Sequence, residues 1–121
     1  MIKSQESYAS EPLAKFHARM DPRGRIVLPK TVRDIFEIEA GDFVTLLVRK
    51  IKLNKDAKEI HVYASFKFSG RVNDKGAVVI PKHLRDKYMI KHGELVEILL
   101  LDHGKPEDNR VHTIYTYIFH V

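Results

Sequence analysis

Cysteine is absent from the 121 residues, and no apolar run approaches the length of a membrane span. Without cysteine the chain has no disulfide and no cysteine-ligated metal site, and a cytoplasmic location fits this composition. Without a long apolar run, and with a polar N-terminus that lacks a signal-peptide core, we expect no membrane-spanning helix and no membrane partner.

Recognisable catalytic patterns are also missing. No nucleophile–base set stands out, and the glycines are too scattered for a phosphate-binding loop or a GxGxxG motif. None of the histidines has a tight metal-ligand spacing such as His-x-x-x-His. We therefore predict that the protein is not an enzyme, takes no cofactor and binds no metal. The seven histidines are His17, His61, His83, His92, His103, His112 and His120.

The charge balance is basic. Lysine and arginine total 21 against 16 acidic residues, which gives a formal net charge of +5 and a sequence pI of about 9.5. A basic domain favours an anionic partner, and nucleic acid is the first candidate.

Glycine and proline are few, but they recur at one spacing. Gly24 and Pro29 return as Gly76 and Pro81, which is a shift of 52 residues. At this shift residues 16–48 align with 68–100 without a gap, at roughly one-third identity, which indicates an internal duplication. We call two residues at this spacing equivalent positions.

Each copy predicts the same order of elements: strand, strand, short helix, strand, strand. Residues 16–21 alternate as a half-buried strand, and a turn then leads to the strand at 25–28 and a short helix at 30–36. Residues 43–48 and 95–101 read as apolar strands, 52–58 and 102–110 as polar loops, and 111–121 as a final strand. Residues 59–72 alternate, which places one set on a single face: Ile60, Val62, Ala64, Phe66, Phe68 and Val72.

These elements predict a mainly β fold. We expect a pseudo-two-fold closed barrel of about eight strands and two short helices, because closure removes exposed strand edges. Residues 1–13 are predicted to be a flexible arm, and 14–121 one barrel domain of two tandem repeats, 14–66 and 67–121. The predicted core positions are Phe36, Val44, Leu47, Tyr88, Val96 and Leu99.

The stretch Arg23-Gly24-Arg25-Ile26-Val27-Leu28-Pro29-Lys30, followed by Val32-Arg33-Asp34, Ile38 and Gly41-Asp42, resembles a known family. It is similar to the AbrB/SpoVT/MazE swapped-hairpin domain, over about 16–50 and again over about 68–101. The resemblance implies a prokaryotic DNA-binding protein of transcriptional regulation or nucleoid organisation. Members usually dimerise, so a tandem chain resembles a dimer fused end to end, an intramolecular pseudo-dimer. The related RIFT-type barrel uses similar units without swapped hairpins, and both topologies stay open.

The residues predicted to contact double-stranded DNA are basic and repeat between the copies, apart from Arg25, whose equivalent is Ala77. In the resembled family, basic residues around the first hairpin and on the short helix touch DNA. The matching positions are Arg19, Arg25, Arg33, Arg71 and Arg85, and the whole predicted set is Arg19, Arg23, Arg25, Lys30, Arg33, Arg71, Lys75, Lys82 and Arg85.

Other interpretations of the same residues stay open. The basic set is also consistent with an ordinary solvated surface, in which Arg33 pairs with Glu37 four residues on. Tyr63, Tyr115 and Tyr117 fit either base stacking or a barrel wall. The chain is also compatible with a barrel that binds a protein or a small ligand, as an antitoxin-like regulator or a relative of RIFT-barrel enzymes, and with a further homodimer.

Overall fold

The computed structural model describes residues 11–106, which form a mainly β fold with two short helices, as predicted. The strands are β1 (Ala14–Arg19), β2 (Arg25–Val27), β3 (Phe43–Asn54), β4 (Glu59–Arg71), β5 (Ala77–Val79) and β6 (Leu95–Gly104). The helices are α1 (Lys30–Ile35) and α2 (Lys82–Lys87). Most of the predicted N-terminal arm and the whole predicted strand 111–121 lie outside the described residues.

All strand pairs that the structure describes are antiparallel. β1, β6, β3 and β4 form a four-stranded sheet in that order, and β2 and β5 form a two-stranded ribbon. β4 is one unbroken strand across the predicted boundary between the repeats, at residues 66 and 67. Closure of all strands into one barrel, and the repeat boundaries themselves, stay predictions.

The two helices begin and end alike. Each starts directly after a proline, which needs no hydrogen-bond partner for its nitrogen at that place. Two residues beyond the last residue of each helix the backbone has a positive φ, at Glu37 (53°) and at Met89 (53°). The next residue, Ile38 or Ile90, donates its N–H back to a helix carbonyl and is buried, which is the hydrogen bond of a Schellman cap. The cap therefore seats each helix end against the core.

The core lies between the sheet and the ribbon and draws on both halves of the chain. Six large side chains in it have no exposed surface: Ile26, Leu28, Leu46, Ile80, Ile98 and Leu100. Val44 and Val96 are buried as predicted, and Phe36 and Tyr88 are partly buried against the core. No helix residue is fully buried, so each six-residue helix depends on packing along one side.

The prediction for Leu47 is wrong. In β3 alternate residues are buried, and the phase puts Val44, Leu46 and Val48 toward the core. Leu47 is half-buried and lies opposite Leu99, on the other face of the sheet. Leu99 is buried as predicted, but it lies outside the main core cluster.

Two further predictions are corrected where the end of β3 pairs with the start of β4. β3 runs on to Asn54, which pairs with Glu59 of β4, so only residues 55–58 of the predicted loop at 52–58 form the turn. The register shifts between Lys50 and Ile51, which skips Tyr63. One extra residue reverses the faces of the strand beyond it. Ile60 and Val62 therefore leave the face of Phe66 and Phe68, and they are 49% and 42% exposed.

Two buried carboxylates each have basic partners. Asp42 accepts a hydrogen bond from Lys105 at 2.8 Å, and this bond raises the pKa of the Lys105 ammonium group. Glu97 lies 3.2–3.4 Å from the basic side chains of three residues: Lys15, His17 and Arg49. Both acids are thus compensated as burial of a charge requires. None of the helices among residues 11–106 is long and apolar enough to cross a membrane.

Candidate nucleic-acid interface

The β2–β5 ribbon is the centre of the candidate interface. Ile26 lies opposite Val78, and both side chains are buried beneath the ribbon. Backbone hydrogen bonds lengthen the ladder at both ends, from Leu28 N–H to Gly76 O at 2.9 Å and from Ile80 N–H to Gly24 O at 2.8 Å. On the opposite face of the ribbon Val27 and Val79 are exposed, Arg25 is partly exposed and Ala77 is buried.

The first turn joins β1 to β2 and fixes Arg25. The Asp21 carboxylate accepts the backbone N–H groups of Arg23 at 2.9 Å and Arg25 at 2.8 Å. It also accepts the side-chain Nε–H of Arg25 at 2.7 Å. The Arg25 backbone N–H is the largest cause that lowers the pKa of Asp21, and the Arg25 side chain lowers it further. Arg25 is therefore held beside an anionic carboxylate.

The second turn has the same geometry without the charge. Asn73 accepts the backbone N–H groups of Lys75 at 2.9 Å and Ala77 at 2.8 Å. Ala77, the equivalent of Arg25, is 5% exposed. The turn thus needs an oxygen acceptor at its first residue, and the ion pair is an addition in the first half only.

Arg33 and Arg85 each reach the turn of the other half. Within their own halves, their Nε–H groups donate to Leu28 O at 2.9 Å and Ile80 O at 2.8 Å. The Arg85 guanidinium lies so close to Gly24 that a Cβ there would collide with it, and the Arg33 guanidinium lies against Gly76 in the same way. Both helix arginines therefore sit at the ends of the ribbon. Glycine is needed there because φ is +81° at Gly24 and +80° at Gly76.

Four other predicted residues project from this surface. Arg23 and Lys75 are exposed in the two turns. Lys30 and Lys82 start the two helices and are 76% exposed. Each of these lysines forms an ion pair four residues along its helix, at 3.0 Å in α1 and 3.1 Å in α2, and such exposed pairs contribute little stability.

Arg19 and Arg71 lie at the last positions of β1 and β4, just before the two turns. Arg19 Nη1 donates to Gly93 O at 3.0 Å, and the Arg71 guanidinium lies 4.5 Å from the centre of the Phe43 ring. Both are exposed, but the contacts draw them toward the Gly93 turn and the start of β3. They flank the ribbon rather than form part of it.

Sequence reasoning gave one wrong contact at this surface and missed one pair of residues. The suggested Arg33–Glu37 pair is wrong, because Arg33 bonds to a carbonyl and Glu37 has left the helix. Val27 and Val79 were not selected, yet they are 55% and 50% exposed on the outward face of the ribbon. A signal existed for both valines, since alternation about Ile26 and Val78 turns them outward.

Among residues 11–106 no group of three or more histidine or acidic side chains is placed to hold a metal ion. His112 and His120 lie outside this range, as do Tyr115 and Tyr117. Tyr63 is the residue that the register shift leaves unpaired, and it is 62% exposed, so it does not form part of the core.

The order of strand, turn, strand, proline and short helix occurs twice, from β1 to α1 and from β4 to α2. Residues 71–105 match the family model described as "Antidote-toxin recognition MazE, bacterial antitoxin". The chain thus carries a MazE-type antitoxin domain, related to the AbrB/SpoVT-like swapped-hairpin superfamily, over those residues.

A solved structure extends the likeness to most of the chain. It is the solution structure of PHS018 from Pyrococcus horikoshii, which is 42% identical, with a TM-score of 0.65. The match covers 79% of this chain and 97% of that one, and the chain belongs to the same family as PHS018. No curated protein matches the chain.

Proposed function

We propose that the protein binds double-stranded DNA through the outward face of the β2–β5 ribbon and the basic residues around it. The role would be transcriptional regulation or nucleoid organisation, by binding and not by catalysis. The observation that carries this proposal is the placement of the basic set. The two turns and the two helix starts bring Arg23, Lys75, Lys30 and Lys82 to the surroundings of one short ribbon, and a two-stranded ribbon fits the major groove of B-DNA.

We also propose that residues 14–66 and 67–121 are tandem repeats that form an intramolecular pseudo-dimer. Reciprocal contacts at equivalent positions support this. Gly93 N–H donates to Met20 O at 2.8 Å, and Gly41 N–H donates to Val72 O at 2.7 Å. A pseudo-two-fold protein matches the two-fold symmetry of duplex DNA.

The nine basic residues would differ in role. Four exposed residues would contact phosphates: Arg23, Lys75, Lys30 and Lys82. The ion pairs that Lys30 and Lys82 form along their helices are exposed and contribute little stability, so they would not prevent these contacts. Arg33 and Arg85 would position the ends of the ribbon. Arg25, Arg19 and Arg71 would contribute charge from places fixed by their own contacts.

Salt titration of duplex binding tests the proposal. Each phosphate contact adds roughly 0.9 to the slope of log affinity against log salt. Replacing Arg23 and Lys75 by Ala should weaken binding and lower this slope by roughly 1.8, the contribution of two phosphate contacts. Lys52→Ala with Lys55→Ala is the matched control, since it also removes two exposed positive charges, at the end of β3 and in the turn that follows it.

Two results would contradict the DNA proposal. One is an equal loss of affinity in the control and in the variant that replaces Arg23 and Lys75. The other is a parent protein that binds no duplex even at low salt.

A protein partner is the second candidate, favoured by the match to a toxin-recognition family. The apolar surface available for it is the far end of the β3–β4 hairpin, where Leu53, Ile60 and Val62 are 42–49% exposed. Mixing with a toxin recognised by a MazE-type antitoxin should then give a complex in size-exclusion chromatography. Ile60→Ser and Val62→Ser should abolish that complex and leave duplex binding intact, and a complex that persists would exclude this surface.

A further inference from the structure

Two exposed valines lie at the centre of the basic surface. Val27 and Val79 occupy equivalent positions in β2 and β5, and about half of each side chain is exposed. Their neighbours Ile26 and Val78 already anchor the ribbon in the core. The fold therefore does not require a second apolar pair on the solvent face, where the ends and both flanks carry positive charge.

We propose that Val27 and Val79 contact thymine methyl groups in the major groove, with the ribbon lying in that groove. This inference rests on the proposed DNA-binding function and adds a preference for base composition to it. The thymine C5 methyl group is the apolar group that the major groove presents, and it is read by apolar side chains. Lysines and arginines around the ribbon supply the attraction to phosphate, but they carry no such preference.

The register of the ribbon supports this assignment. Val27 lies opposite Ala77, and Val79 lies opposite Arg25, so the two valines are diagonal neighbours. Diagonal neighbours are roughly 7–8 Å apart, and two base-pair steps span roughly 6.8 Å along the duplex. Both valines can thus face methyl groups of nearby base pairs at once.

The small residue at position 77 favours a close approach. Ala77 is buried beside Val27, so no long side chain holds that half of the ribbon away from the groove floor. On the other half Arg25 lies beside Val79 and is drawn back by Asp21 at 2.7 Å. Val27 and Val79 are therefore the apolar side chains of the ribbon that are free to contact the groove floor.

The test compares duplexes that differ only in the C5 methyl group. An alternating dA-dT duplex carries it, and an alternating dA-dU duplex lacks it. The parent protein should bind the dA-dT duplex more tightly, by about fourfold for each methyl group contacted, from the usual contribution of one buried apolar carbon. An alternating duplex of dG with 5-methyl-dC should likewise bind more tightly than one of dG and dC.

The variant Val27→Ser with Val79→Ser replaces both apolar side chains by polar ones, so it should bind the dA-dT and dA-dU duplexes equally, while its salt slope stays that of the parent. Comparing both duplexes in the variant also removes any effect of their different shapes. Ile60→Ser with Val62→Ser is the matched control, because both residues are exposed and apolar in β4. Unfolding midpoints of all variants show whether each one is folded.

The outcomes separate the two proposals. Salt-dependent duplex binding that is equal for dA-dT and dA-dU overturns the valine inference and leaves the DNA-binding function standing. A preference for dA-dT that survives in the double variant also overturns the inference, since other groups would then cause it. A parent that binds no duplex at low salt overturns both.

Discussion

The two turns before the ribbon strands have one geometry and two chemistries. Asp21 and Asn73 each accept two backbone N–H groups at 2.8–2.9 Å. Only Asp21 carries a charge, and only Asp21 holds an arginine, at 2.7 Å. The comparison shows that the acceptor oxygen makes the turn, whereas the charge controls what the ribbon presents to a partner.

Contacts that both halves share hold the fold together. Arg33 lies against Gly76 and Arg85 against Gly24, so each helix arginine fixes the turn of the opposite half. Equivalent core positions are apolar in both halves, as at Leu46 and Ile98, whereas the charge differs between the turns, as at Arg25 and Ala77. Substitutions at equivalent core positions should therefore have similar effects, whereas substitutions that change the charge at Asp21 or Asn73 should not.

The largest effect is expected in the core. Leu46 and Ile98 are equivalent positions with no exposed surface, so Leu46→Ala and Ile98→Ala should each lower the free energy of unfolding by about 2–5 kcal/mol. Leu47→Ala is the control, because that side chain is only half-buried. Urea unfolding measures all three. A larger loss for Leu47→Ala than for Leu46→Ala would contradict the observed phase of β3.

Conformational strain at the turn glycines should give the next effect. Gly24→Ala and Gly76→Ala place a Cβ at positive φ and against an arginine, which should cost roughly 1–3 kcal/mol of stability. Gly93→Ala isolates the strain, since φ is +84° there and no atom lies within 4 Å of the added carbon. Gly104→Ala has neither problem and should change little.

Removing the Arg85 side chain separates its contact with Gly24 from the conformational strain at Gly24. With Arg85→Ala in place, adding Gly24→Ala should cost no more than Gly93→Ala does in the parent. An undiminished cost in that background would show that the Arg85 contact is not part of the effect. A double-mutant cycle read from unfolding midpoints measures this coupling.

Sequence patterns predicted the mainly β fold, both helices and their prolines, because local rules determine these features. They failed where one residue changes the phase. The bulge that skips Tyr63 turned Ile60 and Val62 to the opposite face, and a one-residue slip leaves no trace in alternation. The choice of Leu47 over Leu46 failed similarly, because β3 is apolar at both positions.

The candidate site was predictable as a set of residue types, but not as a set of contacts. Basic residues and their recurrence are visible in the sequence, whereas their partners come from elsewhere in the fold. Arg33 bonds to the carbonyl of Leu28 and packs on Gly76. The exposed valines were predictable from alternation, but only after the ribbon strands and their buried faces were known.

The smallest expected effect tests the difference between the two turns directly. The pKa of Asp21 is lowered from 3.8, so its carboxylate stabilises the folded state above about that pH. This contribution is lost as the pH falls through the lowered pKa, because the folded state must then take up the proton.

Asp21→Asn keeps both backbone hydrogen bonds, as Asn73 does, and should lose less stability than the parent between about pH 7 and about pH 3. Asn73→Asp is the reciprocal variant. It should gain acid sensitivity, but less than the first turn has, because Ala77 supplies no arginine. Urea unfolding at both pH values measures each difference, and an acid-induced loss as large in Asp21→Asn as in the parent would show that the Asp21 charge has no part in it.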